Sequence, residues 1–587
     1  MFVLFDTGSD LCYNQVVRPR AGRTGAAVNR RERRWAMLVT IALVTASSLP
    51  YLIAWAVRPE GTHFTGLLFN PQDSNSYIAK MRQGFTGSWR FQLPYTPDPH
   101  AGAHIYLYYL ILGHLARWTS LPLIMIYHTV RGMGSAVMFL ALYALASQLS
   151  DDVSERRVMF LLAAFGAGLG WLVGPLGVVT ADLWVPEAFP VYALLTNAHF
   201  PLAIGLMIGI AACGLRTADR IGQARRRNIP HDPRVTPKGE NRRGKVRYPR
   251  NRHQCLWGLG TTAGAMALGL IQPFGLVAVL GGLGVMLAAQ VFRRRAVPWQ
   301  AVAWIAGAGT LALVYPLYTL WAMRHDPVLA AWNMQNVTPS PKLWDWALSY
   351  GLVLALALLG AFSAAQRKSD GDWLLLGWVI VTLVGMYVPL QLQRRLSLGL
   401  GIPMGLLAGK GWWRAVRPRV RDHRQKCLQG LTVAFCALTP LFLVLMTLLA
   451  AVAGEPWLYL SNGEWAALEW LRDEGEPSAV ILCAPQTGLF VPAWAGQRVV
   501  YGHPFETVDA EKQKAQVEAY WAGEMSPSEQ KSFLRENRVR YVLVGPRELE
   551  IADCGSQIAD CKLQIAESSG EPVFEAGGVS VYQLNEQ

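Results

Sequence analysis

From residue 35 to residue 57 the chain reads WAMLVTIALVTASSLPYLIAWAV, with Arg34 before it, Arg58 after it and no charge between them. About 20 such residues cross a bilayer core, so this stretch is a spanning helix before it is anything else. Similar runs lie near 128–149, 158–180, 200–215, 256–271, 274–292, 298–322, 345–366, 373–391, 395–411 and 429–453. Only 16% of the 587 residues are charged, against about a quarter in soluble domains. The sequence predicts a polytopic α-helical membrane protein of about eleven spans, multi-pass in the plasma (inner) membrane. A basic tail (1–34) precedes the membrane domain (35–453), and a water-soluble α/β domain (454–587) follows it.

The net charge of +14 invites a nucleic-acid reading that its distribution excludes. Residues 454–587 hold 10 Lys and Arg against 21 Asp and Glu, so the basic excess lies in the membrane part. There it sits in short connections: seven Arg against three acids in 1–34, thirteen Lys and Arg against three acids in 216–255, and six against one in 414–426. Such clusters remain in the cytoplasm. They require 58–127, 181–199, 323–344 and the tail from 454 to be extracytoplasmic. The run AHIYLYYLILGHLARW (103–118) would break this parity as a span, and is read as a juxtamembrane helix in the outer interface. With no signal-peptidase pattern, 35–57 is read as a retained first span.

In the tail, 464–475 and 510–523 have helical spacing. SAVILCA (478–484), QRVVYG (497–502), VRYVLVG (539–545) and VSVYQL (579–584) have strand composition, and the acidic stretch 547–571 reads as an inserted loop. Cys213, Cys255, Cys427 and Cys436 are packing residues in or beside spans. Cys554 and Cys561 would be able to pair in an oxidising space. The LFDTGSDL segment (4–11) has the Asp-Thr-Gly-Ser of an aspartic protease but no second copy, and that chemistry needs two carboxylates.

The first external loop reads NPQDSNSYIAKMRQGFTGSW (70–89). Asp73 opens an amphipathic helix, with Tyr77, Lys80 and Gly84 following at helical spacing. Asp in that place is also a good N-cap. An N-terminal span, an external loop opening on Asp with Tyr four residues later, and an apolar juxtamembrane helix together resemble the GT-C glycosyltransferases. Protein O-mannosyltransferases and the aminoarabinose transferase of lipid A belong to that superfamily. Their loop opens Asp-Glu-x-x-Tyr, so the resemblance implies that Asp73 is the catalytic base or acceptor-orienting group, with Tyr77 beside it. Two features depart from the pattern: Ser74 replaces the Glu, and Pro99-His100 replaces a Pro-Pro.

A second likeness is QLQRRLSLGLGIP (391–403), with Arg394 and Arg395 at the external start of a late span and Pro403 after them. The resemblance implies that Arg395, and to a lesser degree Arg394, meets the phosphate of a polyprenyl carrier. Guanidinium suits that partner, although an Arg at a span end also simply snorkels. Further candidates for substrate binding are Lys80, Glu187, Gln272 and His503, with Asn197, His199, Tyr501 and Glu506 nearby in the same loops. The implied reaction moves a sugar from a polyprenyl-phosphate donor to an envelope acceptor. It needs no nucleotide, and the chain has no phosphate-cradling glycine loop. A divalent metal on Asp73 or Glu187 is compatible with this scheme, but no His/Asp cluster demands one. The rivals are a transporter or flippase, which would favour internal repeats and mid-span charges, and a non-catalytic envelope scaffold.

Reporter fusions after 453 and within 323–344 are expected to read as extracytoplasmic, and fusions within 216–255 as cytoplasmic. A cytoplasmic reading after 453 would overturn the parity.

Overall fold

The computed structural model describes residues 28–227, 252–552 and 571–584. The LFDTGSDL segment, most of the 216–255 connection, and Cys554 and Cys561 lie outside the described residues. The membrane part begins with α1 (Arg30–Ala56), opened by a capping box in which the Asn29 side chain accepts from the Glu32 amide. The loop after it carries α2 (Pro71–Phe85) and α3 (Leu107–Thr119). Then come α4 (Leu123–Leu149), α5 (Val153–Phe165), three short helices α6 (Gly170–Val173), α7 (Ala181–Trp184) and α8 (Pro190–Leu195), and α9 (His199–Arg227). The chain continues through α10 (Arg252–Ile271), α11 (Phe274–Arg294), α12 (Trp299–His325), α13 (Pro327–Gln335), α14 (Leu343–Arg367), α15 (Asp370–Gly385), α16 (Gly401–Gly411), α17 (Asp422–Cys436) and α18 (Leu438–Val452).

The chain is a multi-pass membrane protein. Among the described residues, seven helices are long and apolar enough to cross a membrane, or eight when the α17–α18 pair, bent by 43°, is taken as one span. The expected eleven were counted from apolar runs, and three of those runs form shorter elements. α15 has 16 residues, α16 has 11, and the apolar part of α10 is Cys255–Ile271. α16 is buried along its whole length, so its apolarity answers to neighbouring helices rather than to lipid. The run expected at 158–180 leaves helical geometry after Phe165. Its freed backbone is satisfied inside the protein: the Asp182 carboxylate accepts from the Gly168 and Gly170 amides, and the Ala167 amide donates to Cys436 O. Irregular backbone at such a place is tolerated only when protein supplies these partners.

Ion pairs on buried carboxylates gather at one side of the bundle. Glu32 pairs with Arg156 at 2.7 Å, Glu155 with Arg414 at 3.1 Å, Asp372 with Lys410, and Asp370 with Arg293 and Arg294. These residues lie at the starts of α1, α5 and α15 and at the ends of α11 and α16, so those ends share one side. On the other side, β1 (Thr62–Phe64) pairs antiparallel with β2 (Tyr459–Ser461), tying the first loop to the C-terminal domain.

That domain opens with α19 (Asn462–Asp473), whose capping box joins Ser461 to Glu464. Its five-stranded sheet has the order β4-β3-β5-β7-β6, where β3 is Val480–Leu482, β4 Arg498–Val499, β5 Val539–Val544, β6 Pro572–Ala576 and β7 Val579–Gln583. β4, β3 and β5 run parallel, and β7 runs antiparallel to both β5 and β6. Four strands fall within the stretches expected from composition, while β6 follows directly on the acidic stretch. A helix at Pro546–Ile551 occupies the start of that stretch, where a loop was expected.

α2 and α3 pack against each other through glycine. A Cβ on Gly113 would lie 1.9 Å from Met81 O, and one on Gly84 2.1 Å from Leu110 O. Gly113→Val is therefore expected to cost about 1–3 kcal/mol by overpacking, read as a lower Tm in detergent. Gly284→Ala is the control: it lies within α11 with nothing within 4 Å and is expected to gain about 0.5–1 kcal/mol.

Candidate functional site

α2 does not start at Asp73. Asn70, in the left-handed region at φ 50°, precedes the helix and Pro71 opens it, so Asp73 is its third residue and not an N-cap. Pro is preorganised for a first helical position, a signal that the N-cap reading of Asp73 passed over. The Asp73 carboxylate instead accepts from Asn70 Nδ2 at 2.7 Å. Its other oxygen, Oδ1, faces His503 Nε2 of the C-terminal domain at 3.6 Å. The Asp73 side chain keeps 43% of its surface accessible, so it stays open to an approaching group. Burial works to raise its pKa. The His503 imidazole, the Asn70 amide and the Arg395 charge outweigh burial and hold the carboxyl well below the usual range.

Tyr77 stacks on Tyr109, with ring centroids 4.4 Å apart, and meets His199 edge-on at 5.0 Å. Tyr109 Oη and His199 Nδ1 are 2.6 Å apart. Burial, with Asp73 nearby, pushes the Tyr77 phenol up. Ser74, which stands where the resembling family has Glu, donates to Asn197 Oδ1 at 3.0 Å.

Arg395 and Arg394 lie in a short 3-10 turn (Gln393–Ser397) ahead of α16. Arg394 packs over the Trp184 ring at 4.7 Å and sits 3.7 Å from Glu187. Burial pushes the Glu187 carboxyl up against the pull of Arg394. Arg395 has no carboxylate within ion-pair distance among the described residues, and its buried Nε has no hydrogen-bond partner. Burial opposes its charge, but the surrounding Tyr77, Tyr106, Glu187 and Asp73 keep it firmly protonated.

Lys80 is not open to a ligand in the way the sequence suggested. It is fully buried, and its Nζ meets Glu506 Oε1 at 2.5 Å and Ser76 Oγ at 3.0 Å, beneath the rings of Tyr77, Phe91 and Tyr106. Lys80 and Ser76, acting against burial, hold the Glu506 carboxyl below its ordinary value. Gln272 is buried at the α10–α11 turn, and no hydrogen bond or ion pair among the described residues joins it to the cluster. Asn70, Ser76 and Trp184 were missed from sequence. Asn70 had a usable signal, its spacing of three before Asp73. Trp184 had none, since its partner is about 210 residues away.

The two carboxyls named for a metal already have protein neighbours. One Asp73 oxygen is taken by Asn70 and the other faces His503 Nε2, while Glu187 is paired with Arg394. Among the described residues no group of three or more His, Cys, Asp or Glu is arranged to hold an ion. A groove of about 390 Å³ reaches the cluster's edge, lined by Gln72, Tyr501, Gly502 and Pro504 among others. A second groove, of about 440 Å³, is lined by His100, His104, His325 and Asp326 and shares none of the cluster's residues.

No protein-family model matches the chain, and no curated protein matches its sequence. Solved structures do match in fold. ArnT from Cupriavidus metallidurans bound to undecaprenyl phosphate is similar at TM-score 0.51 and 11% identity, covering 93% of this chain and 99% of that one. The apo state of the same protein gives 0.50, 12%, 93% and 99%. The archaeal oligosaccharyltransferase AglB from Archaeoglobus fulgidus, in complex with an inhibitory peptide and a dolichol-phosphate, gives 0.50 and 13%, covering 95% of this chain and 75% of that one. The chain therefore shares the fold of these ArnT and AglB structures.

Asp73 has a lowered folded pKa, so its charge contributes stability above its unfolded value of about 4. That contribution is lost as pH falls through the folded value. The Tm gap between wild type and Asp73→Asn is thus expected to be widest near neutrality and to shrink below about pH 4. Measurement is by thermal scans across pH in detergent; a gap that widens in acid would reverse the sign.

Proposed function

We propose, from that shared fold and the cluster at its domain side, that the chain is a glycosyltransferase of the GT-C type. It moves a sugar from a polyprenyl-phosphate donor to an envelope acceptor on the outer face of the plasma membrane. The observation that carries this reading is that Asp73 and Arg395 act on each other electrostatically, while Arg395 has no ion-pair partner among the described residues and an Nε without a hydrogen bond. A half-buried guanidinium with an unpartnered donor is open to a further acceptor, and a lipid phosphate is one of the right charge and shape. The ArnT structure with undecaprenyl phosphate and the AglB structure with a dolichol-phosphate support a carrier of that class.

In the reaction, Arg395 holds the carrier phosphate and Asp73 accepts a hydrogen bond from the acceptor hydroxyl. The anomeric carbon–oxygen bond breaks with its electron pair going to the phosphate, the acceptor oxygen bonds to the same carbon, and the hydroxyl proton passes to Asp73. A carboxyl held below its usual range is a weak base. Asp73 therefore orients the hydroxyl and takes the proton late, as the acceptor oxygen becomes acidic. Arg394 stays occupied with Glu187 and Trp184 and shapes the rim. Lys80 has a docking role and not a substrate contact.

Asp73→Asn retains an acceptor oxygen for Asn70 and removes the charge. Transfer is expected to fall about 10²–10⁴-fold with protein yield near wild type by gel filtration. Near-normal transfer would sink the assignment and return the transporter and scaffold readings. Arg395→Ala is expected to raise the donor KM more than it lowers Tm, with Arg395→Lys recovering only part because it lacks the bidentate fork. An unchanged donor KM leaves Arg395 as a snorkelling residue.

A further inference from the structure

The C-terminal domain meets α2 at several places, and one of them, the turn 502–507, is held at many points. Glu506 enters the buried Lys80–Ser76 site at 2.5 Å and 2.9 Å. The Phe505 carbonyl accepts from Trp332 Nε1 at 2.7 Å, and Thr507 Oγ1 accepts from the Gly502 and His503 amides. Around this turn the domain grips the first loop again: Arg82 Nε donates to Ala493 O at 2.7 Å, Trp494 Nε1 to Asn75 Oδ1 at 2.9 Å, and Tyr95 Oη to Leu489 O at 3.1 Å. A turn fixed at so many points delivers its side chains to a defined place.

The side chain delivered to Asp73 is His503, which is 1% exposed. Its Nδ1 accepts the Phe505 amide at 3.1 Å. That bond fixes the neutral tautomer, because a nitrogen that accepts carries no proton, so the proton rides on Nε2. Nε2 has no hydrogen-bond partner among the described residues, and the group it faces is Asp73 Oδ1 at 3.6 Å. With both ring nitrogens accounted for, His503 has no lone pair left to act as a base toward a substrate. What remains to it is to direct an N–H at the carboxylate, opposite the Asn70 amide on the other oxygen.

We infer that His503 is a positioning residue supplied by the C-terminal domain, which orients the Asp73 carboxylate for the acceptor hydroxyl, and that the Lys80–Glu506 pair docks the turn carrying it. The site is then complete only when the domain is seated on α2. This inference rests on the glycosyltransferase reading of Asp73.

Two substitutions separate orientation from turn-building. Asn at 503 can accept the Phe505 amide with its own side chain, as Asx turns do, but it is too short to reach Asp73. Gln carries an amide N–H out to the level of Nε2 and gives up the turn bond. The full-length protein in nanodiscs, assayed with a polyprenyl-phosphate sugar, is expected to lose about 10–100-fold in kcat in His503→Asn, the scale of a misplaced catalytic group. Its donor KM stays within about 2-fold, because the Arg395 contact is untouched. His503→Gln is expected to recover most of that rate. A purely structural role predicts the opposite ranking, with losses following Tm. That ranking, equal losses in both variants, or an undiminished kcat in His503→Asn each overturns the inference while leaving the wild-type activity, and so the glycosyltransferase reading, standing. A wild type that transfers nothing from any polyprenyl-phosphate sugar overturns both together.

Discussion

An ammonium buried to the last atom must find a carboxylate, and removing one partner of such a pair costs about 3–5 kcal/mol. Lys80 meets that demand across the boundary between two parts of the chain, with Glu506. The pair is 426 residues apart in sequence and joins the first loop helix to the C-terminal domain beneath three aromatic rings. Much of the site depends on this contact. It brings the 502–507 turn over α2, sets His503 against Asp73, and partly encloses a carboxylate that remains ionised although burial disfavours it.

The cluster's electrostatics follow from the same enclosure. Three cationic or donor groups, from Arg395, His503 and Asn70, act on Asp73, whereas Glu187 is dominated by burial with Arg394 opposing it. Two carboxyls that look interchangeable in sequence are thus pushed in opposite directions. This divergence separates a carboxylate held ionised from one engaged in holding a rim arginine. On the far side of the bundle the pairs made by buried Glu32, Glu155, Asp370 and Asp372 hold helix ends together, each with an arginine or lysine already matched to it.

The membrane architecture was legible because uncharged length is a local property, and the 35–57 run needs no partner to be recognised. The span count was less legible, because burial against protein and burial in lipid select the same residues. α16 is as apolar as a span and is wholly covered by other helices. Asp73, Tyr77 and Arg395 stand out as candidates because their spacing resembles a known family. The role of Lys80 does not, since nothing within α2 reveals a carboxylate at 506. The same applies to His503, whose tautomer is set by the amide two residues on but whose target lies on another domain. The N-cap reading of Asp73 failed for a local reason, Pro71 at the first helical position.

The account's central claim is that Arg395 and Asp73 bracket the phosphate end of a lipid-linked donor. The most direct test is a cryo-EM structure of the full chain in nanodiscs loaded with polyprenyl phosphate. The account predicts phosphate oxygens within hydrogen-bond distance of the Arg395 guanidinium, on the side that faces Asp73, with the isoprenoid tail leaving toward lipid. Lipid phosphate bound elsewhere, with Arg395 extended to the bulk headgroups, would contradict it.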